Sequence, residues 1–524
     1  MNTSRLKLLL TLICATIFNL VFWNEKVALN LVIFDLVVVA IIFSLYPDRL
    51  RHKTVLLTLA GHVFALTMVL IHNTDLSVVV AGVSLFLLAA FAQYSLRSVL
   101  FAFASMIVQA GLMVAEFAEA IVQSRKLRKK QSKKRKGINM IAIPFILLIT
   151  FFVIYVQASP AFAKLFVDFT EMFWKYFGRI FELISWSRVL FFLAGLYISG
   201  TLVLRNRIVK DNISEDRMND SLVRARQSKK EVNVFYALLA GIPGMLPKGT
   251  LALKNKTNIG LYSFVLLNVL LLVINITDVN FIWMADNYGD DALMSELVHE
   301  GTEILILSIL MAIAVVLVFF DGNINFYNKS RILRIAAMIW LVQNVFLTVS
   351  VFMRDLYYID HYGLAYKRIA LIFFLFVVIT GLISVMIKIS YRKSNYYLFR
   401  VTGNIIAFVF IISVSVNWDL EIAKYNLGRI GKIHPDTEFL VNLSDDVLPV
   451  LRQYEAELLP YVKHKQYAVR VPGDWIKDRY EFADYLLFRE EQVVNAEKAH
   501  TWMSWNFADQ RLLAAINNSK RFNR

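Results

Sequence analysis

The sequence predicts an all-α, polytopic membrane protein: a bundle of about 11–12 spanning helices, then a small, mostly helical extracytoplasmic C-terminal domain. Three observations carry this reading. Apolar residues make up 58% of the chain, more than a soluble globular domain uses. Apolar runs near the ~20 residues that a helix needs to cross a hydrocarbon core recur as far as residue 416. The formal charge of +16 collects in the short stretches between those runs and in the tails, as orientation signals do.

Taken in order, segment 1–123 holds apolar runs at 6–23, 27–45, 54–71, 76–94 and 99–122. Arg5 and Lys7 precede the apolar core of the first run as in a secretory signal, but no small-x-small cleavage site follows, so it is read as an uncleaved span. The stretch 124–137, SRKLRKKQSKKRKG, carries no acid and lies between apolar runs. Lysine and arginine resist translocation, which assigns this loop to the cytoplasm. It lacks the aromatics that would stack bases, so no nucleic-acid partner is expected.

Segment 138–204 reads as two spans flanking an outer amphipathic helix. After Ser159 and Pro160, an N-cap and first-turn pair, Lys164, Asp168, Glu171, Lys175, Arg179 and Glu182 form one polar stripe. Phe162, Phe166, Phe169, Phe173, Trp174 and Phe177 cover much of the rest, which suits a helix in the outer interface or packed sideways on the bundle. Segment 205–258 is a basic cytoplasmic loop ending in the Gly/Pro-rich turn 241–249. That turn is not a phosphate cradle, since no strand precedes it and Lys248 is followed by Gly249 and Thr250. Segment 259–416 supplies further spans at 259–279, 302–320, 333–352, 369–387 and 401–416, and 417–524 is the outer domain. There Ser444 is expected to cap a helix entered by Asp445 and Asp446, and 502–511 to form an aromatic helix that docks.

Positive charge alternates well after the basic loop, but five full spans before it would place that loop outside. The run 99–122, with Glu116 and Glu119, is therefore expected to lie at the cytoplasmic interface. Eleven spans result, or twelve if it crosses.

Polar chemistry concentrates in two places. Glu296, His299, Glu300 and Glu303 share one face of a helix entry. Glu-x-x-His is a di-metal spacing, but no second copy exists, and Glu303 stands where a zinc signature needs histidine. No metal or cofactor is indicated. Glutamates in a first helical turn also favour the dipole without any ligand. The loop 354–368 emerges on the same side with Arg354, Tyr357, Tyr362 and Arg368. The two stretches are expected to meet as an outward-facing polar pocket, or to form the usual interfacial belt of tyrosines and arginines. Within the spans Asp35, His62, Asn268, Asn275 and Asn344 are candidate intramembrane polar groups. They mark an ion path or, more commonly, hydrogen bonds between helices.

Several stretches resemble a family of bacterial polytopic membrane proteins catalogued only as a domain of unknown function. They are IAIPFILLI…ASPAFAKLF (141–166), HEGTEIL (299–305), LVQNVFLTVSVFMRDLYYIDHYGLAYKR (341–368), NWDLEIAKYNL (417–427), FLVNLSDDVLPVL (439–451) and WNFADQR (505–511). His299 departs from the arginine usual there. The resemblance implies a bacterial cytoplasmic-membrane protein and brings no catalytic residues.

Three functional classes follow. The first is a non-enzymatic envelope component binding a protein or lipid partner through its outer face. The second is an ion- or proton-coupled transporter using Asp35 or His62. The third is a membrane enzyme at the 296–303 and 354–368 surface, which is disfavoured because no catalytic set is recognisable.

Overall fold

The computed structural model describes residues 3–125, 185–205, 252–280, 291–320, 322–462, 465–470 and 477–522, with scattered positions within 148–172 and 215–222. At 119–125 and 291–302 it describes the helical backbone alone. The basic loop beyond Arg125, the turn 241–249 and most of the 138–156 run lie outside the described residues.

The long helices are α1 (Thr3–Phe22), α2 (Leu29–Leu45), α3 (Lys53–His72), α4 (Asp75–Gln93), α5 (Val99–Arg125), α6 (Trp186–Val203), α7 (Ala252–Asp278), α8 (Asp291–Phe319), α9 (Arg331–Tyr362), α10 (Tyr366–Ser390) and α11 (Asn395–Ser413). The tail adds α12 (Trp418–Leu427), α13 (Thr437–Val441), α14 (Leu448–Gln453), α15 (Glu455–Val462), β1 (Tyr467–Arg470), β2 (Lys477–Tyr480), α16 (Phe482–Ala499) and α17 (Phe507–Phe522). Among the described residues nine helices are long and apolar enough to cross a membrane, and α2 and the Glu303–Phe319 part of α8 are apolar but shorter. The protein is a multi-pass helical membrane protein. Its solvent is written on α7, where Leu266 is 72% and Leu270 59% exposed while Asn275 and Asp278 are buried. Apolar out and polar in is the pattern that lipid selects.

The chain forms two compact units, Met1–Leu50 with Ser105–Asn212, and Arg51–Ala104 with Ile213–Arg524. The grouping crosses chain order, since α3 and α4 pack with the C-terminal helices.

In the first unit α1 lies along α6, and the Phe18 ring sits 5.6 Å from Phe34 and 5.1 Å from Phe191. A Cβ on Gly195 would stand 2.5 Å from that ring, so glycine permits the close approach. Asn30 locks the α1–α2 turn: its amide donates to the Val21 and Lys26 carbonyls, both at 3.0 Å, and its oxygen accepts from Ala28 and Leu31. Ser159 Oγ accepts from the Phe162 amide at 3.3 Å, and Lys164–Asp168 are helical. Here α5 meets α6 at a crossing: Gln109 donates to the Thr201 carbonyl, Tyr197 donates to the Ala110 carbonyl at 2.9 Å, and Gly200 abuts Met113.

In the second unit α3 and α4 form a hairpin, turned at Asn73 (φ 45°) and capped by Thr74, whose hydroxyl accepts from Ser77 N at 3.2 Å. Helices α7, α8 and α10 flank α9, and α11 follows beside α10. The described residues 215–222 are stapled to one end. Glu215 accepts from the Arg97 and Ser98 amides at 2.5 and 3.2 Å and from the Tyr396 hydroxyl at 2.9 Å. Asp220 pairs with Arg400 at 2.8 Å.

At the other end the tail shares one core with the bundle, since Ile369 of α10 packs in the same cluster as Ile422, Leu440, Leu451, Leu486 and Ile516. The tail is mostly helical, with β1 and β2 forming a short antiparallel pair. Ser444 departs from the expected role: its hydroxyl makes no cap, and its amide donates to Asp419 Oδ2 at 2.9 Å. Its neighbours hold the turn instead, Asp445 pairing with Arg489 and Asp446 accepting from Asn417. The expected aromatic helix over 502–511 is not one helix: Trp502–Ser504 form a 3-10 turn, the chain extends at Trp505, and α17 starts only at Phe507 behind Asn506, whose Oδ1 accepts from the Asp509 amide at 2.8 Å.

Candidate functional site

Of the expected outer pocket, the side chains of Glu296, His299 and Glu300 lie outside the described residues, and Glu303 is exposed on α8. The stretch 354–368 is not the loop expected. Helix α9 runs on to Tyr362, because nothing breaks it before Gly363, and α10 starts at Tyr366. Along that last stretch Tyr357 stacks on His361 at 4.1 Å, Tyr358 on Tyr362 at 4.4 Å, and Arg368 lies over Tyr358 at 4.4 Å and donates to the Gly363 carbonyl. These i, i+4 aromatic pairs make a rigid collar. Arg354 pairs with Asp278 of α7 at 2.5 Å, a partner the sequence reading overlooked.

Four of the intramembrane candidates, His62, Asn268, Asn275 and Asn344, make hydrogen bonds in this fold. His62 Nδ1 lies 2.8 Å from Ser84 Oγ, and that hydroxyl donates to the Ala81 carbonyl. The ring nitrogen is therefore the donor in a bond between α3 and α4. Asn268 donates to the Phe264 and Ala336 carbonyls at 2.6 and 3.0 Å and accepts from Gln343 at 3.1 Å. Asn275 donates to the Gln343 carbonyl at 3.2 Å, and Asn344 to Trp340 O at 2.8 Å within α9. Asp35 is fully buried on α2, in the other unit from His62.

What the fold does assemble is a cleft of about 750 Å³ beneath the tail. Its floor is the ends of membrane helices: His72 at the end of α3, Leu364 between α9 and α10, and Ser415–Val416 after α11. Its roof is Trp418, Leu420, Glu421, Lys424 and Tyr425 of α12, Pro449 and Val450 of α14, and Ala508, Arg511 and Leu512 of α17. The lining is mainly apolar with a few charged groups, the composition of a site for an amphipathic molecule.

Each wall is fixed locally. Asn417 caps α12, its Oδ1 accepting from Leu420 N at 3.3 Å, while its amide donates to Asp446 Oδ2 at 2.6 Å. Asn426 grips the α9–α10 turn at both polar groups of Leu364, accepting from its N–H at 2.6 Å and donating to its C=O at 2.9 Å. Gly363 must be glycine there: its φ is +83° and a Cβ would fall 2.5 Å from Asn426 Oδ1. Arg511 Nη2 donates to the Ile71 carbonyl at 2.5 Å, which seats α17 on the end of α3. His72 Nε2 lies 3.1 Å from the Ser415 carbonyl. A carbonyl only accepts, so Nε2 carries the proton.

A family model described as a domain of unknown function, DUF4153, matches residues 58–454. The chain belongs to that family. Neither the curated proteins nor the solved structures offer a match. The DUF4153 segment includes the floor of the cleft and its α12 and α14 walls, while Arg511 lies beyond it on α17. Three tail stretches that carry the family resemblance, 417–427, 439–451 and 505–511, all reach this cleft. The signal available in the sequence was their polar caps, Asn417 and Asn506, which start the two helices that form its walls.

Proposed function

We propose that the protein is a non-enzymatic envelope component of a bacterial cytoplasmic membrane, which binds an amphipathic lipid in the cleft between the span ends and the outer tail. The carrying observation is that cleft, with apolar walls, a few charged groups and a floor at the ends of helices long and apolar enough to cross a membrane. A lipid head lies at that depth and its chains lie beside the helices below. The outward assignment rests on charge. The end of the second unit opposite the tail holds Arg97, Lys329, Arg331, Arg392, Lys393 and Arg400, of which Arg97 is held by Glu215, Arg400 by Asp220 and Arg392 by the Phe326 ring. Positive charge marks the cytoplasmic end, which puts the tail outside.

Transport finds less support at His62, Asn268 and Asn275, which are engaged in bonds between helices, while Asp35, the other group a transporter would use, is fully buried on α2.

The test is a benzophenone side chain at Leu420, in the cleft, against one at Leu487, which is exposed on α16 away from it. After irradiation in native membranes, mass spectrometry of the purified full chain should find lipid adducts at the first position only. Equal lipid labelling at both ends the proposal, and a protein adduct at Leu420 would replace the lipid by a protein partner.

A further inference from the structure

We propose that the polar end of the cleft seats the phosphate of an anionic amphiphile, with Arg511 as its counter-charge. This rests on the reading of the cleft as an amphiphile site. The argument is an account of which charges are already used. Glu421 is paired with Lys424 at 3.2 Å, while Asp446 accepts the neutral Asn417 amide at 2.6 Å, so its negative charge stays in the same lining and is the one a bound anion must outweigh. Arg511 is different. Its Nη2 and Nε donate to the Ile71 and Phe507 carbonyls at 2.5 and 3.3 Å. Among the described residues it forms no ion pair. Two neutral carbonyls orient a guanidinium but leave its full charge uncompensated, and Nη1 remains to donate. A planar guanidinium held in one orientation is suited to phosphate oxygens.

His72 stands beside it in the lining with Nε2 committed to Ser415. Its Nδ1 accepts a phosphate O–H when the ring is neutral and donates to a phosphate oxygen when it is charged. The first turn of α12, with its partial positive charge, lines the same cleft. Leu364, Trp418, Leu420 and Val450 supply the apolar wall for the chains. A soluble phosphate would make no use of that wall, which favours a lipid as the source of the anion.

The experiment is native mass spectrometry of the full chain in neutral detergent. It is titrated with short-chain phosphatidic acid, with diacylglycerol of the same chains, and with glycerol phosphate as competitor. Phosphatidic acid should bind at least about tenfold more tightly than diacylglycerol. Arg511→Gln should erase that preference while keeping an amide that can donate to Ile71, and its unfolding midpoint should stay near that of the parent. Lys498→Gln, at an exposed position on α16 outside the lining, should leave the preference intact. Equal affinity of the two lipids overturns the phosphate seat but leaves the amphiphile reading standing. Failure of both, added before irradiation, to suppress formation of the lipid adduct by a benzophenone side chain at Leu420 overturns that reading too. Competition by glycerol phosphate as strong as that by phosphatidic acid overturns the lipid as the source. An unchanged preference in a folded Arg511→Gln protein reduces Arg511 to a docking contact.

Discussion

The Asp278–Arg354 pair shows what a single residue contributes in this environment. Both side chains are largely buried, at 7% and 12% exposure, and they join α7 to α9 at 2.5 Å. Removing Arg354 leaves Asp278 as a buried charge, at a cost of about 3–5 kcal/mol, whereas replacing both with apolar residues of similar size is far less costly. Asp278→Asn or Arg354→Gln alone should therefore lower the unfolding midpoint in detergent strongly. The double variant Asp278→Leu/Arg354→Met should recover much of the loss. Additive losses in the double-mutant cycle would show that the two groups do not depend on each other. Sequence reading singled out Arg354 and paired it with the 296–303 stretch. Asp278 was overlooked because charge and topology offer several acids on that side, and only packing chooses among them.

At the scale of elements, the described part of segment 215–222 behaves as a staple built on one carboxyl. Burial pushes the Glu215 pKa above the ordinary carboxylate range, against the opposing pull of the Arg97 amide, the Tyr396 hydroxyl and the Ser98 amide. A carboxyl whose folded pKa is raised takes up a proton on folding. Its stabilising contribution is therefore complete below its unfolded pKa and is lost as pH rises through the folded value. Thermal scans should show stability falling from the carboxylate range upward, and Glu215→Gln should flatten that slope. A slope of unchanged size in Glu215→Gln would assign the effect to another group. The same scale explains the extended α9. Apolar periodicity marked its membrane part, 333–352, but the helix continues to Tyr362 because the Tyr357–His361 and Tyr358–Tyr362 stacks support its last turns. Polar residues beyond an apolar run read as a loop until their partners along the helix are seen.

For the whole molecule, the central expectation is sidedness. In a Cys14→Ser background, a cysteine replacing Trp502, which is 65% exposed on the tail, should react with a membrane-impermeant maleimide in intact cells. A cysteine at Lys329 should react only after the membrane is opened. The opposite pattern would place the tail and its cleft in the cytoplasm. The sequence by itself determined that the chain is helical and membrane-embedded, where most apolar runs fall, and which family it resembles. These are one-dimensional properties: run length against bilayer thickness, charge between runs, and local pattern. The tertiary structure alone decided that α3 and α4 join the C-terminal helices, that Asn268 and Asn275 are spent on α9, and that a cleft opens where the end of α3, the α9–α10 turn, the segment after α11, α12, α14 and α17 converge. That cleft takes His72 from one end of the chain and Arg511 from the other, and no local pattern encodes a contact across that separation. Only burial of the shared core around Ile369, Leu451 and Ile516 brings its walls together.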